Sequence, residues 1–82
     1  MDEKELLAHL DRLHTTDLGA ARIKRNLALA APDAVAWCRD RILRPDARIT
    51  RAGKNWYIAT DGCRITVNAS SYTVITAHKE ET

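Results

Sequence analysis

The dipeptide Asp61-Gly62 lies between two runs rich in β-branched and aromatic residues, and this arrangement constrains the fold more than any other sequence feature. A two-residue Asp-Gly loop between such runs is a strong signal for a β-hairpin. Closing the chain there pairs Thr60 with Cys63 and sets the register of both strands. Because side chains alternate between the faces of a strand, the hairpin separates an apolar from a polar set. The apolar set is Trp56, Ile58, Ile65 and Val67, and the polar set is Asn55, Tyr57, Arg64, Thr66 and Asn68.

An upstream strand is predicted to pair with the first strand of the hairpin. Ala52-Gly53 can form a two-residue turn, which places Ile49 opposite Trp56 on the apolar face. Arg48 and Thr50 then fall on the polar face.

A fourth strand is predicted to follow the hairpin. A loop of odd length keeps Ile75 and Ala77 on the apolar face, whereas a slip of one residue would invert every side chain. The expected cross-strand pairs are Thr76 with Thr66 and His78 with Arg64. The nine residues of the resulting polar face are Arg48, Thr50, Asn55, Tyr57, Arg64, Thr66, Asn68, Thr76 and His78.

Three helices are predicted before the sheet, over about Asp2–His14, Leu18–Ala30 and Pro32–Arg44. Their apolar rows are Leu6, Leu10 and Leu13, then Leu18, Ala20, Ile23 and Leu27, then Val35, Cys38 and Ile42. A sheet with one apolar face needs a cover, so we expect an α+β domain with the three N-terminal helices packed on one face of a four-stranded antiparallel β-meander. Residues 1–82 form a single domain, with helices over about 2–44 and the sheet over about 47–78.

Composition excludes several classes of protein. The length of 82 residues and the hydrophobic content of 45% fit one small globular core. No apolar run approaches the roughly 20 residues that span a bilayer, and Met1–Glu5 lacks a signal-peptide pattern, so we expect a cytoplasmic protein with no membrane contact. Cys38 and Cys63 have no His or Cys at ligand spacing. Both are predicted to be reduced and half-buried, with no metal or other cofactor.

Positive charge is concentrated in the middle of the chain. Residues 22–64 carry ten Lys or Arg and four Asp, a net charge of +6, although the whole chain carries only +2. Residues 1–21 carry −3 and residues 65–82 carry −1. This distribution suits an anionic partner such as nucleic acid. The alternative is that these charges are ordinary solvated faces of helices and of an edge strand.

Four stretches carry a recognisable pattern: His14–Leu27, Trp37-Cys38, Gly53–Tyr57 and Ile65–Lys79. Together they resemble a family of small bacterial proteins of unknown function. The resemblance covers nearly the whole chain and implies no activity.

More distantly, helices followed by a meander that closes on the strand Val74–His78 are similar to the barnase, EndoU, colicin and RelE-like ribonucleases. This resemblance implies a small RNA-cleaving toxin or effector that needs no metal and has its active site on the open sheet face. By position, this resemblance implies site roles for Thr76 and His78 on the final strand, and for a basic or His residue from the helices.

Metal-independent RNA cleavage requires groups that move protons and cations that stabilise the charge of the phosphorane. His78 is the best acid–base candidate on the polar face, because imidazole exchanges protons near neutral pH. Its expected cross-strand neighbour Arg64 would bind phosphate. The other candidate catalytic residues are His14, Arg22, Thr76 and Tyr57. The candidate substrate-binding residues are Arg48, Arg51, Lys54, Asn55, Thr66, Asn68, Tyr72, Lys24 and Arg25.

Ordinary structural roles compete with each of these assignments. Thr, Arg and Tyr are common on solvated sheet faces for propensity reasons alone. His14 can cap a helix C-terminus, Arg22 can be a surface residue and Asn68 can be a turn residue. Trp37 and Trp56 are assigned to the core.

Three hypotheses remain open. The leading one is a metal-independent endoribonuclease of bacterial toxin type that acts on RNA, with an inhibitor or antitoxin protein as a further partner. The second is a non-catalytic module that binds nucleic acid or protein. The third is a structural or regulatory protein, such as an inhibitor, that uses the polar face as a docking surface.

Overall fold

The computed structural model describes residues 3–30 and 32–80. It is an α+β structure with three α-helices and a four-stranded antiparallel sheet among these residues, as the sequence predicts. The helices are α1 (Glu3–Ala8), α2 (Asp17–Leu27) and α3 (Ala34–Ile42), with a 3₁₀ turn at Leu10–Arg12. The strands are β1 (Arg48–Ala52), β2 (Asn55–Thr60), β3 (Cys63–Asn68) and β4 (Val74–Lys79).

The central hairpin has the predicted register. β2 and β3 pair from Asn55 with Asn68 to Thr60 with Cys63. Asp61 and Gly62 both have positive φ, 52° and 72°, as a type I′ turn requires. The register of β2 and β3 therefore follows from the backbone preference of the two turn residues.

The predicted pairing of β1 is wrong by two residues. Ile49 lies opposite Ile58 instead of Trp56, because the turn uses Gly53 and Lys54 and closes on the pair Ala52–Asn55. Gly53 has a φ of 59°, which fits the first central position of a type II′ turn, where glycine is preferred. A shift of two residues preserves the faces, so Arg48 and Thr50 remain on the polar face.

The pairing of β4 with β3 confirms the two predicted polar pairs, but it places Ile75 differently from the prediction. Arg64 lies opposite His78 and Thr66 opposite Thr76, but a bulge follows and Val67 pairs with Val74. Ile75, predicted to face the core, is therefore 39% exposed. The extra residue of a bulge exchanges the faces of the residues on either side of it.

The first helix is shorter than predicted. α1 ends at Ala8, and the backbone of His9 (φ −126°, ψ 29°) separates it from the 3₁₀ turn. The predicted helix end at His14 is wrong, because the main chain of His14 pairs in parallel with Thr73 at the start of β4. Asp2, the predicted first residue of the helix, lies outside the described residues.

Capping side chains define the starts of the other two helices. Thr16 accepts a hydrogen bond from the Gly19 N–H, and Asp33 accepts one from the Ala36 N–H. In α2, Ile23 and Leu27 are buried as predicted, whereas Leu18 is 80% exposed and Gly19 takes the first buried position. The buried rows are Gly19, Ile23 and Leu27 in α2, and Ala34, Cys38 and Ile42 in α3.

The buried apolar side chains of the helices and of the sheet form one core. Trp56 belongs to it, as predicted, whereas Trp37 is only partly buried and lies under the Arg41 guanidinium, 4.5 Å from its ring centroid. Cys38 and Cys63 are free thiols, as predicted, but both are buried and not half-buried. Among residues 3–30 and 32–80, no helix has the length and apolar character needed to cross a membrane.

Candidate functional site

A row of basic side chains, called the cationic row after its two arginines, crosses the polar face from β1 to β4. Arg48 lies opposite Ala59, which lies opposite Arg64, which in turn lies opposite His78. Arg48, Arg64 and His78 are exposed. The Cα atoms of Arg48 and Arg64 are therefore two strand spacings apart, roughly 10 Å, with the short side chain of Ala59 between them.

A second row carries hydroxyl groups beside this cationic row. Thr50, Tyr57, Thr66 and Thr76 lie opposite one another on the four successive strands. Thr66 is only 7% exposed, because it is central in the sheet and flanked on both sides. Tyr57 is partly exposed.

The two rows meet at Tyr57 and Arg64. The guanidinium carbon of Arg64 lies 5.3 Å from the centroid of the Tyr57 ring, within the range of a cation–π contact. The two side chains are diagonal neighbours across the β2–β3 pair, a separation that long side chains bridge.

Glu80 also reaches this point, and the sequence reasoning missed it. Its Oε2 lies 3.7 Å from Arg64 Nη1, and its N–H donates to the Gly62 carbonyl, which continues the β3–β4 pairing. The sequence does contain a signal for this position: Glu80 is two residues beyond His78, and residues two apart in a strand lie on the same face.

The two asparagines of the polar face make local contacts. Asn55 Nδ2 donates to the Tyr57 hydroxyl at 3.3 Å, which steadies the tyrosine. Asn68 Oδ1 accepts from the N–H groups of Ser70 and Ser71 and from the Ser71 hydroxyl. This oxygen organises the loop before β4, so the turn role is the one that the contacts support for Asn68.

His14 does not join His78. Its ring nitrogens lie 2.9 Å from the Arg12 carbonyl and 3.1 Å from Thr73 Oγ1. Thr73 precedes β4 and His78 is near its end, so at about 3.3 Å per residue the backbone positions of Thr73 and His78 are roughly 15 Å apart, and His14 lies at the Thr73 end.

Three further candidates from the sheet region lie away from the polar face. Arg51 is opposite Trp56, its guanidinium carbon lies 5.5 Å from the Trp56 ring, and its Nε donates to the Gly53 carbonyl. Lys54 is exposed in the β1–β2 turn. Tyr72 is 4% exposed and is enclosed by Trp56, His9 and Arg12, so its ring offers no stacking surface.

The candidates on α2 differ in what they contact. Arg22 and Arg25 are exposed, whereas Lys24 Nζ donates to the Pro32 carbonyl at 3.0 Å. Asn26, which the sequence reasoning missed, donates from Nδ2 to the Ala77 carbonyl and to Thr76 Oγ1. A polar helix residue carries no sequence signal for such a contact.

The site is an open surface. Residues 3–30 and 32–80 enclose no pocket. The same residues contain no group of three or more His, Cys, Asp or Glu side chains positioned to hold a metal ion. Recognition on the polar face would therefore depend on side chains that stand out from a flat sheet.

Comparison with known proteins identifies the family. Residues 7–78 match a family model described as Protein of unknown function (DUF3781). The chain belongs to this family. The DUF3781 match confirms the predicted resemblance to a family of unknown function and brings no activity with it. No curated protein and no solved structure gives a significant match, and nothing in these comparisons supports the likeness to ribonucleases.

Proposed function

We propose that this DUF3781 protein binds single-stranded RNA on its polar face. One observation carries the proposal: the Arg64 guanidinium lies over the partly exposed ring of Tyr57, at 5.3 Å from its centroid. An aromatic ring beside a cation offers a stacking surface for a base together with a contact for its phosphate, the combination used by single-strand binders. Aromatic side chains on an open sheet are a recurring way to recognise unpaired RNA bases.

The arrangement of the helices and the sheet is consistent with RNA binding on the polar face. We infer that the three helices cover the apolar face of the sheet and leave the polar face to solvent. The inference is supported by the single core that the buried apolar residues of helices and strands share. It is also supported by the exposure of Arg48, Arg64 and His78 on the polar side.

The cationic row supplies the electrostatic part of binding. Arg48 and Arg64 flank Ala59, and a phosphate seated over that methyl group would contact both guanidiniums. Contacts of this kind release counterions, so affinity should fall as salt rises. Glu80 opposes this attraction because it lies 3.7 Å from Arg64, and an incoming phosphate would compete with it for the guanidinium.

The test is a fluorescence-anisotropy titration of a labelled single-stranded RNA at several salt concentrations. We expect wild-type binding that weakens with salt, and a loss in Arg64→Ala of about 10- to 150-fold, since charge-assisted contacts contribute roughly 1.5–3 kcal/mol. Arg44→Ala is the matched control, because Arg44 is exposed but lies beyond α3 and outside the polar face. Absence of binding at low salt, or equal losses in the two variants, would refute the proposal.

RNA cleavage is the second candidate, and it is favoured by the position of an exposed imidazole opposite Arg64. His78 would take the proton of the 2′-hydroxyl as the 2′-oxygen attacks phosphorus. The bond to the 5′-oxygen would break, a cyclic 2′,3′-phosphate would form, and the imidazolium would return the proton to the departing oxygen. Because His14 is far from His78, the face has one imidazole for both proton transfers, so binding without cleavage is the better-supported function.

Incubation of the pure protein with RNA and a chelator separates these two candidates. Cleavage by the wild type that disappears in His78→Ala would make the protein a ribonuclease. Intact RNA that nevertheless comigrates with the protein would leave binding alone. Equal cleavage by the wild type and His78→Ala would point to a contaminating nuclease.

A further inference from the structure

The polar face does not end at the last strand. Asn26 of α2 reaches around the outer edge of β4, where its Nδ2 lies 3.3 Å from the Ala77 carbonyl oxygen and 3.5 Å from Thr76 Oγ1. Thr76 belongs to the polar face, whereas Ala77 is fully buried. One amide therefore joins the polar face to the exterior of α2.

Two arginines continue from this junction along the helix. Arg22 is one turn before Asn26 and shares its side of the helix, and Arg25 is the i+3 neighbour of Arg22. Both arginines are exposed. Within residues 3–30 and 32–80, neither forms an ion pair with an acidic side chain, in contrast to Arg64 on the sheet.

From this continuity we propose that the bound RNA strand leaves the polar face over Asn26 and continues across α2, where Arg22 and Arg25 contact its phosphates. The inference rests on the proposed RNA binding and adds its direction and extent: a ligand that crosses β4 instead of running along the sheet. It also predicts a length requirement. A short oligonucleotide fills the polar face only, whereas a longer one reaches the helix.

The competing explanation is that Arg22 and Arg25 are solvated charges near the C-terminal end of α2. Cations in that position stabilise a helix by about 0.3–1 kcal/mol through its dipole, without any ligand. This role would leave RNA affinity unchanged when the arginines are removed, so the two explanations give different binding results.

The experiment measures the slope of the logarithm of the binding constant against the logarithm of salt concentration. Oligonucleotides of roughly 4 and roughly 16 nucleotides, the range of single-strand site sizes, are titrated into the wild type and Arg22→Ala/Arg25→Ala. Each phosphate contact on a single strand contributes about 0.7 to the slope, so the double variant should lose about 1.4 with the long RNA and nothing with the short one. The control is Lys4→Ala/Arg44→Ala, which removes two exposed charges away from the proposed path.

Each result of these titrations supports or contradicts the proposed path of the RNA across α2. A long-RNA slope that is unchanged in Arg22→Ala/Arg25→Ala, with Arg64→Ala still weakening binding, would overturn the helix path and leave the polar face as the binding site. Equal slope changes with the short and the long RNA, or in the control, would also overturn it. If the wild type binds neither RNA, the proposed function and this extension both fail.

Discussion

Arg64 and Tyr57 lie on different strands, yet the guanidinium carbon is 5.3 Å from the centre of the phenol ring. The contact depends on the β2–β3 register, because a shift of one residue would put the two side chains on opposite faces. It brings an aromatic ring and a positive charge to one point of the polar face.

The ring of Tyr57 should matter more for RNA affinity than its hydroxyl group. We expect Tyr57→Ala to weaken binding by about 5- to 150-fold, because stacking contributes about 1–3 kcal/mol per base. Tyr57→Phe keeps the ring and loses only the hydroxyl that accepts from Asn55, so its affinity should stay near that of the wild type. Anisotropy titrations measure both variants, with circular dichroism to verify folding. A Phe variant as weak as the Ala variant would exclude stacking.

A long-range hydrogen bond holds Thr15 in a position that leaves no room for a side chain on residue 19. The Thr15 hydroxyl donates to the Val74 carbonyl at 2.9 Å, which fixes Thr15 between α2 and β4. A Cβ on Gly19 would overlap Thr15 Oγ1. We therefore expect Gly19→Ala to lower the free energy of unfolding by about 1–3 kcal/mol, although alanine is the better helix former.

A double-mutant cycle tests this reason for Gly19. In a Thr15→Ala background the overlap with Thr15 Oγ1 is gone and only the 3.2 Å contact with Thr16 Oγ1 remains tight, so Gly19→Ala should cost at least about 1 kcal/mol less than in the wild type. Urea denaturation of the four proteins gives the coupling energy. Equal destabilisation by Gly19→Ala in both backgrounds would mean that Thr15 is not the cause.

Substitution of the two turn glycines tests the cost of backbone strain alone, because an added Cβ would overlap no other atom. Gly53 and Gly62 have φ of 59° and 72°, and no atom lies within 4 Å of a Cβ built on either. Each substitution to Ala should therefore cost about 1–3 kcal/mol of unfolding free energy from the positive φ alone. Ser70→Ala, at an exposed position in the loop before β4, is the control and should change stability by less than about 0.5 kcal/mol. Thermal or urea unfolding checks this, and a neutral Gly62→Ala would contradict the type I′ turn.

Burial raises the pKa of the Cys38 thiol from 9.0 to about 12, and the nearby Cys63 thiol adds to the shift. Above pH 9.0 the unfolded chain releases this proton while the folded chain retains it, so stability falls as the pH rises from 9.0 towards about 12. Between pH 8 and 10 the loss attributable to Cys38 should be on the order of 1 kcal/mol.

Comparison of the wild type with Cys38→Ala isolates this effect from other groups that titrate at alkaline pH. The variant will be less stable throughout, because it leaves a cavity, but its free energy of unfolding should fall less between pH 8 and 10. Urea denaturation at the two pH values provides the numbers. Parallel pH dependences would show that Cys38 does not titrate differently in the folded and unfolded chains.

The sequence by itself determined the central hairpin and the composition of the polar face. Asp61-Gly62 adopts its turn from local backbone preference, and strict alternation along the two strands then assigns Arg64, Thr66 and Tyr57 to one face, with no need of a distant contact. The same alternation placed His78 opposite Arg64, because the loop length preserved parity at that end of β4.

Only the tertiary structure decided what happens where distant segments meet. Val74 donates its N–H to the His14 carbonyl and accepts from the Thr15 hydroxyl, and these bonds coincide with the bulge that turns Ile75 outward. The same pairing extends the chain at His14, which the helical spacing of Leu6, Leu10 and Leu13 had predicted to be a helix end. Such positions obey no local period, because their backbone partners are supplied by another part of the chain, and pairing those buried polar groups outweighs the local preference.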